Sequence, residues 1–237
     1  MNLNKFLFGS AIICIAFALS LSSCKKLALQ KDYHRVADTV DTHVYVTAWD
    51  YLKQRAYGGD SIWKRFYDGI VYSGIDTSEY TKPNRTFIFL NTDAVSRTNS
   101  NLSDVGFFGA VLVSGKSGKA WTDYPKAFVK AYLQYLIADG VYNHYTLPPI
   151  NAVEVTTLAP PGSFDTLPKN ITFNTSYPFV PNHKSTMTMK VLNSSPSNTS
   201  DYPIMLNENR AVRTSSIQAT NGTIHAIDRF LTTTLGQ

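Results

Sequence analysis

Five histidines (His34, His43, His144, His183, His225) and two cysteines (Cys14, Cys24) are the residues of this chain best suited to chemistry. No histidine has a second histidine four residues away or another metal-ligand spacing, so the sequence predicts no metal site. His225 has Asp228 three residues on, but strand residues three apart point to opposite faces. That keeps the two from acting as a base and its orienter, and His225 reads as a core histidine satisfied by hydrogen bonds. Paired carboxylates for glycoside cleavage come from distant segments, and no local motif supplies such a pair. The stretch Ala110–Ser117 satisfies a relaxed phosphate-loop pattern with Ala in place of the first glycine. Its inner residues are strand-like, and Gly118 to Pro125 start no helix after Lys116, so it reads as a glycine loop with solvated lysines. The chain therefore reads as non-enzymatic, with no cofactor and no nucleotide partner.

Recognition chemistry is better represented. Trp121 and Tyr124 share a loop with Lys116 and Lys119, and Tyr142 and Tyr145 flank His144. Rings with an apolar face and a polar rim stack on sugars or anchor a protein partner, and these six residues are the ligand-binding candidates. The same rings could instead cap the core, and the sequence leaves both readings open. Net charge is +5, and removing Lys5 with a leader leaves +4. Lysines and arginines form no dense block, which argues against nucleic acid.

A basic start, Lys5, precedes an apolar run from Phe6 to Leu21. The run falls short of the ~20 residues that span a bilayer and has the layout of a secretory signal. Leu21-Ser22-Ser23-Cys24 resembles a bacterial lipobox. That resemblance implies a signal peptide over 1–23, cleavage before Cys24 and a lipid (diacylglyceryl with further acylation such as palmitate) on Cys24. Residues 24–40 then form a polar tether, with Lys25, Lys26 and Lys31 beside the headgroups. With Cys14 discarded and Cys24 acylated, the mature chain has no thiol for a disulfide.

Local signals place the remaining elements. Thr47 caps a helix that Gly58-Gly59 end. Asp60 or Ser61 caps a second, whose apolar stripe is Ile62, Phe66 and Ile70 with Trp63, Tyr67 and Val71, and Gly74 closes it. Arg85–Leu90 reads as a buried strand running into an Asn91 cap. Pro125 starts a helix through Ala138, with Gly140 as its stop. Ile171–Phe173, Ser185–Val191 and Ile204–Leu206 read as strands paired antiparallel, and Met187, Met189 and Val191 share one face. Asp-Ser/Thr-apolar triplets at 38–40, 60–62 and 165–167 resemble periplasmic O-glycosylation sites of some Gram-negative bacteria.

The ordered set Asn221-Gly222-x-Ile224-His225-x-Ile227-Asp228-x-x-Leu231 resembles the C-terminal signature of fasciclin domains. Arg85 to Val95 resembles the other fasciclin signature, with Leu90 in place of its proline, Asn91-Thr92 standing for its Thr-Asn and Val95 in place of its phenylalanine. The likeness runs from about Thr39 to Leu231. It implies an α+β fold, a fasciclin-like β-sandwich packed with several N-terminal and central helices, over 41–237 as a single domain. Asn221, Gly222, His225 and Asp228 are its structural signature. It also implies an outer-membrane, surface-tethered binding module for a glycan or partner protein, accessory to a glycan-uptake system. The alternatives are a structural or cell–cell adhesion protein and, further off, a hydrolase. The Tyr-His pair implicated in fasciclin adhesion aligns with Tyr135 and Leu136, so the His is missing.

Overall fold

The computed structural model describes residues 41–99, 101–148, 151–191 and 203–234. The expected signal peptide over 1–23, Cys24 and the expected tether over 24–40 lie outside the described residues. From Thr42 onward the described residues cluster as one compact unit. It is an α+β unit with three small sheets.

The centre is β1, Arg85–Leu90, whose residues from Thr86 to Leu90 are all buried. A strand covered on both faces needs a continuous apolar run, and Phe87-Ile88-Phe89-Leu90 supplies it. Beside it lies β11, Gly222–Ile227, parallel to it and in register from Arg85↔Gly222 to Leu90↔Ile227. β10, Thr214–Ala219, pairs antiparallel with the outer edge of β11. β4, Ile137–Asp139, pairs antiparallel with the other edge of β1. Thus the last strand is interior to its sheet, in the order β10-β11-β1-β4.

Gly222 is where β11 meets β1. A Cβ there would stand 2.0 Å from the Arg85 carbonyl oxygen, so no larger residue permits this approach of the two backbones. Asn221 fixes the turn before it. Its carboxamide oxygen accepts from Ala48 N–H at 2.8 Å, and its NH2 donates to the carbonyls of Tyr80 and Lys82, each at 3.0 Å. One buried side chain therefore ties the sheet to two N-terminal segments 139 or more residues away in sequence.

The helices cover this sheet. In α1, Ala48–Tyr57, Thr47 caps as expected, accepting from Asp50 N–H at 3.1 Å, and Gly58 ends the helix. α2 spans Lys64–Ser73 and ends at Gly74 in the left-handed conformation. Two expectations for α2 need correction. It has no side-chain cap, because Asp60 is engaged by the Arg55 guanidinium and Ser61 sits in a turn at φ 47°. Its buried face is Phe66, Gly69, Ile70 and Ser73, which leaves Val71 59% exposed. α3, Thr92–Ser96, is capped by Asn91, whose side-chain oxygen accepts from Ala94 N–H at 2.9 Å. α4, Phe107–Ala110, leads into a hairpin of β2, Val111–Val113, and β3, Lys116–Ser117. The former phosphate-loop look-alike is thus a strand and a two-residue turn.

α5 runs from Lys126 to Tyr135 and ends three residues sooner than expected. Ile137 and Ala138 leave the helical pattern to pair with Phe87 and Thr86, and Ile88 N–H donates to the Leu136 carbonyl at 2.8 Å. A vacant edge on β1 outcompetes helix propensity for a β-branched residue.

The second half adds two antiparallel groups. β6, Ile171–Phe173, pairs with β2. β5 (Val153–Val155), β7 (Met187–Lys190), β8 (Met205–Leu206) and β9 (Arg210–Ala211) form the third sheet. Met187, Met189 and Val191 are buried together, as the alternation predicted. Asn207 ties this sheet to the rest: its NH2 donates to the Tyr135 hydroxyl at 2.8 Å and to the Thr232 carbonyl at 2.7 Å.

Candidate functional site

The loop carrying Lys119 and Trp121 is held by one carboxylate. Asp123 accepts from the backbone N–H groups of Lys119 at 2.8 Å and Ala120 at 3.0 Å, and these bonds hold its pKa below the usual carboxylate value. The turn so formed presses Trp121 onto α2, where the indole N–H donates to the Arg65 carbonyl at 2.7 Å. Gly69 makes the room, since a Cβ there would lie 2.7 Å from the indole Cε2. Phe107 and Phe108 pack against the same ring.

Trp121 and Tyr124 are therefore not exposed stacking platforms: of the two readings the sequence leaves open, they take that of rings capping the core. Trp121 is 6% exposed and Tyr124 2%. Tyr124 donates to the Val111 carbonyl at 2.9 Å, and burial pushes its phenol pKa far up. These rings satisfy their polar atoms on backbone carbonyls and bury the rest, the arrangement that stabilises most when a Tyr or Trp enters a core.

What reaches the surface is a cleft of about 230 Å³ beside Trp121. α2 contributes Arg65, Asp68 and Tyr72, and the loop contributes Lys119, Ala120, Trp121 and Thr122, with Phe108 in the wall. Of the predicted ligand-binding residues, Lys119 and Trp121 meet here, while Lys116, Tyr124, Tyr142 and Tyr145 do not line it. Lys116 is exposed on the β2–β3 hairpin. Asp68 also accepts from Lys64 at 2.5 Å, which raises the lysine pKa, and both side chains remain over 40% exposed. The cleft thus offers two cationic donors and one carboxylate acceptor around an apolar wall. Arg65 and Asp68 fall outside the apolar stripe expected of α2. Only the fold brings them against a loop more than 50 residues later, so no sequence signal marked them.

Tyr142 and Tyr145 belong to another surface. Tyr145 is 93% exposed, on a turn in which the Asn143 side-chain oxygen accepts from Tyr145 N–H at 2.8 Å. Tyr142 is half-buried and packs on the core, and its carbonyl serves His225.

His225 is fully buried and paired at both nitrogens. Its Nδ1 accepts from Ser216 N–H at 3.0 Å, so Nε2 carries the proton and donates to the Tyr142 carbonyl at 2.8 Å. A bulge in β10 between Thr214 and Ile217, with Ser216 at φ 59°, releases that N–H from the ladder. Burial pushes the imidazole pKa down to about 4, and His144 nearby adds to the effect. A neutral, doubly bonded ring is a structural part, as its sequence setting suggested. Asp228 lies just past β11 and pairs with Arg229 at 3.1 Å, and Arg229 in turn grips Asp104.

Among the described residues, no three His, Cys, Asp or Glu side chains gather as a metal site. No described helix is long and apolar enough to cross a membrane. Comparison of the chain with models of known protein families and with curated proteins gave no match.

Proposed function

We propose that the chain is a lipid-anchored binding module of the bacterial cell surface, of fasciclin-like β-sandwich type, that holds a glycan in the Trp121 cleft. The observation that carries this reading is the composition of that cleft. Sugar hydroxyls donate and accept at once, and Arg65 and Lys119 supply donors while Asp68 supplies the acceptor, beside the apolar wall of Phe108 and Trp121. The fasciclin resemblance is supported by the interior position of Gly222–Ile227 and by the buried clasp of Asn221. The lipobox around Cys24 supports the anchor, and the outer membrane is the proposed location. A role beside a glycan-uptake system follows from the resemblance alone.

A glycan array probed with wild type, Asp68→Asn and Lys119→Ala tests the reading. Wild type should retain at least one glycan, and each variant should lose ~tenfold in apparent affinity or more. A blank array, or variants that bind as well as wild type, would overturn it.

A second reading, an envelope or cell–cell adhesion protein with a protein ligand, is favoured by the exposed apolar side chains Tyr145, Tyr57 and Val71. Tyr135, which aligns with the fasciclin adhesion tyrosine, is fully buried and donates to the Thr186 carbonyl at 3.0 Å. It is out of reach of a partner, which weighs toward the glycan. A hydrolase would need two carboxylates across its cleft, and this one is lined by Asp68 alone.

A further inference from the structure

A second cleft, of about 260 Å³, opens between α1 and the edge of the core, beside β10 and the end of β11. Tyr51 and Arg55 come from one face of α1, and Ile62 and Trp63 precede α2. Asn91 follows β1, and Arg213, Thr214, Ile217, Ala226 and Ile227 come from the sheet. Unlike the Trp121 cleft, it has no acidic residue in its lining.

Its polar groups are almost all donors, and several lack a partner. The indole N–H of Trp63, a residue only 4% exposed, is buried with no hydrogen-bond acceptor. The Nε of Arg55 is buried without one as well. Burying a donor unpaired costs free energy, and both of these donors belong to residues that line the cleft. The Asn91 side-chain oxygen is committed to Ala94 N–H, which leaves its NH2 to donate. Arg55 stands 5.7 Å over the Trp63 ring and shares one terminal nitrogen with the exposed Asp60. Arg213 is exposed and makes no side-chain hydrogen bond or ion pair among the described residues.

We infer that this cleft binds a small organic carboxylate, about the size of one sugar ring, such as the uronate unit of an acidic glycan. Two guanidinium groups match a planar carboxylate through paired N–H donors, and the Asn91 NH2 lies in the same lining. The walls of Tyr51, Ile62, Ile217 and Ile227 suit a compact body with an apolar face. At about 260 Å³ the space lies below the range of drug-sized sites, roughly 300–1,000 Å³, so one ring fills it. The inference stands independently of the Trp121 cleft, since it shares no lining residue with it.

The test is a titration of the 15N-labelled protein with sodium glucuronate, glucose and benzoate, followed at the Trp63 indole N–H resonance, which Trp63→Phe assigns. Glucuronate should move that resonance and glucose should not, because the two differ at the carboxylate. A response to glucuronate without benzoate identifies a sugar acid, and a response to both identifies free acids more broadly; either supports the site. Arg213→Gln, an exposed substitution that leaves the core intact, should weaken glucuronate binding by ~tenfold or more. The same response to glucose as to glucuronate, no response to either acid, or unchanged affinity in Arg213→Gln would overturn the inference. Loss of glycan binding at Asp68 bears only on the first cleft, and the Trp63 resonance reports only on the second.

Discussion

Protonation of His225 should be the first large stability loss as the protein is acidified. In the folded chain the ring is neutral and its pKa is pushed from 6.5 down to about 4 by burial. The unfolded chain therefore binds a proton in that window that the native state refuses. The stabilisation is complete above pH 6.5 and is lost as pH falls from there toward 4. Each pKa unit is 1.36 kcal/mol, which gives a loss of about 2 kcal/mol by pH 5 and about 3 kcal/mol by pH 4 relative to pH 7. Protonating Nδ1 also turns the Ser216 N–H, its present donor, into a buried donor facing another donor. The carboxylates act elsewhere on the scale. Asp50, Asp76, Asp104 and Asp123 are held below 3.8 by their hydrogen bonds, so their contributions persist until pH falls below that value. Urea unfolding at pH 7, 6 and 5 should show the steep fall in wild type. His225→Gln is the control: about 1–3 kcal/mol less stable at pH 7 because a flexible amide replaces the ring that spans Ser216 N–H and the Tyr142 carbonyl, and nearly flat from pH 7 to 5 because Gln does not titrate. Parallel profiles for the two proteins would refute the buried neutral ring.

Three further outcomes follow from the same geometry. Asn221→Ala removes three hydrogen bonds, two of them fully buried, that join Ala48, Tyr80 and Lys82, and should lower the urea-unfolding free energy by about 2–4 kcal/mol. Gly69→Ala drives a methyl into the Trp121 indole and should cost about 1–3 kcal/mol, with a change in tryptophan fluorescence that Gly59→Ala, in open space, does not show. Cys24→Ser should move the protein from the membrane fraction to the soluble fraction of cells, because the thiol is the proposed attachment point of the lipid.

The sequence was most readable where the cause is local. The Thr47 and Asn91 caps, the Gly74 stop, the buried run Phe87–Leu90 and the alternation Met187–Val191 each depend on neighbours within a few residues, and each stands in the structure. It failed where a distant segment decides. Ile137 continues a good helical pattern until the edge of β1 is available to it. Trp121 and Tyr124 look like loop aromatics because the hole that receives Trp121 is made by Gly69, and Tyr124 donates to Val111 in another strand. Val71 fits the four-residue spacing of α2, but the helix turns Gly69 and Ser73 inward instead. The cleft was half legible, through Lys119 and Trp121, because its other half comes from the solvent face of α2.

Resonance mapping of the Trp121 cleft tests the central claim most directly. With the best glycan from the array titrated into the 15N-labelled protein, the largest amide shifts should cluster at Arg65, Asp68 and Lys119–Thr122 and vanish in Asp68→Asn. Shifts confined to other surfaces, such as the turn around Tyr145, or a pattern unaltered by Asp68→Asn, would contradict the account.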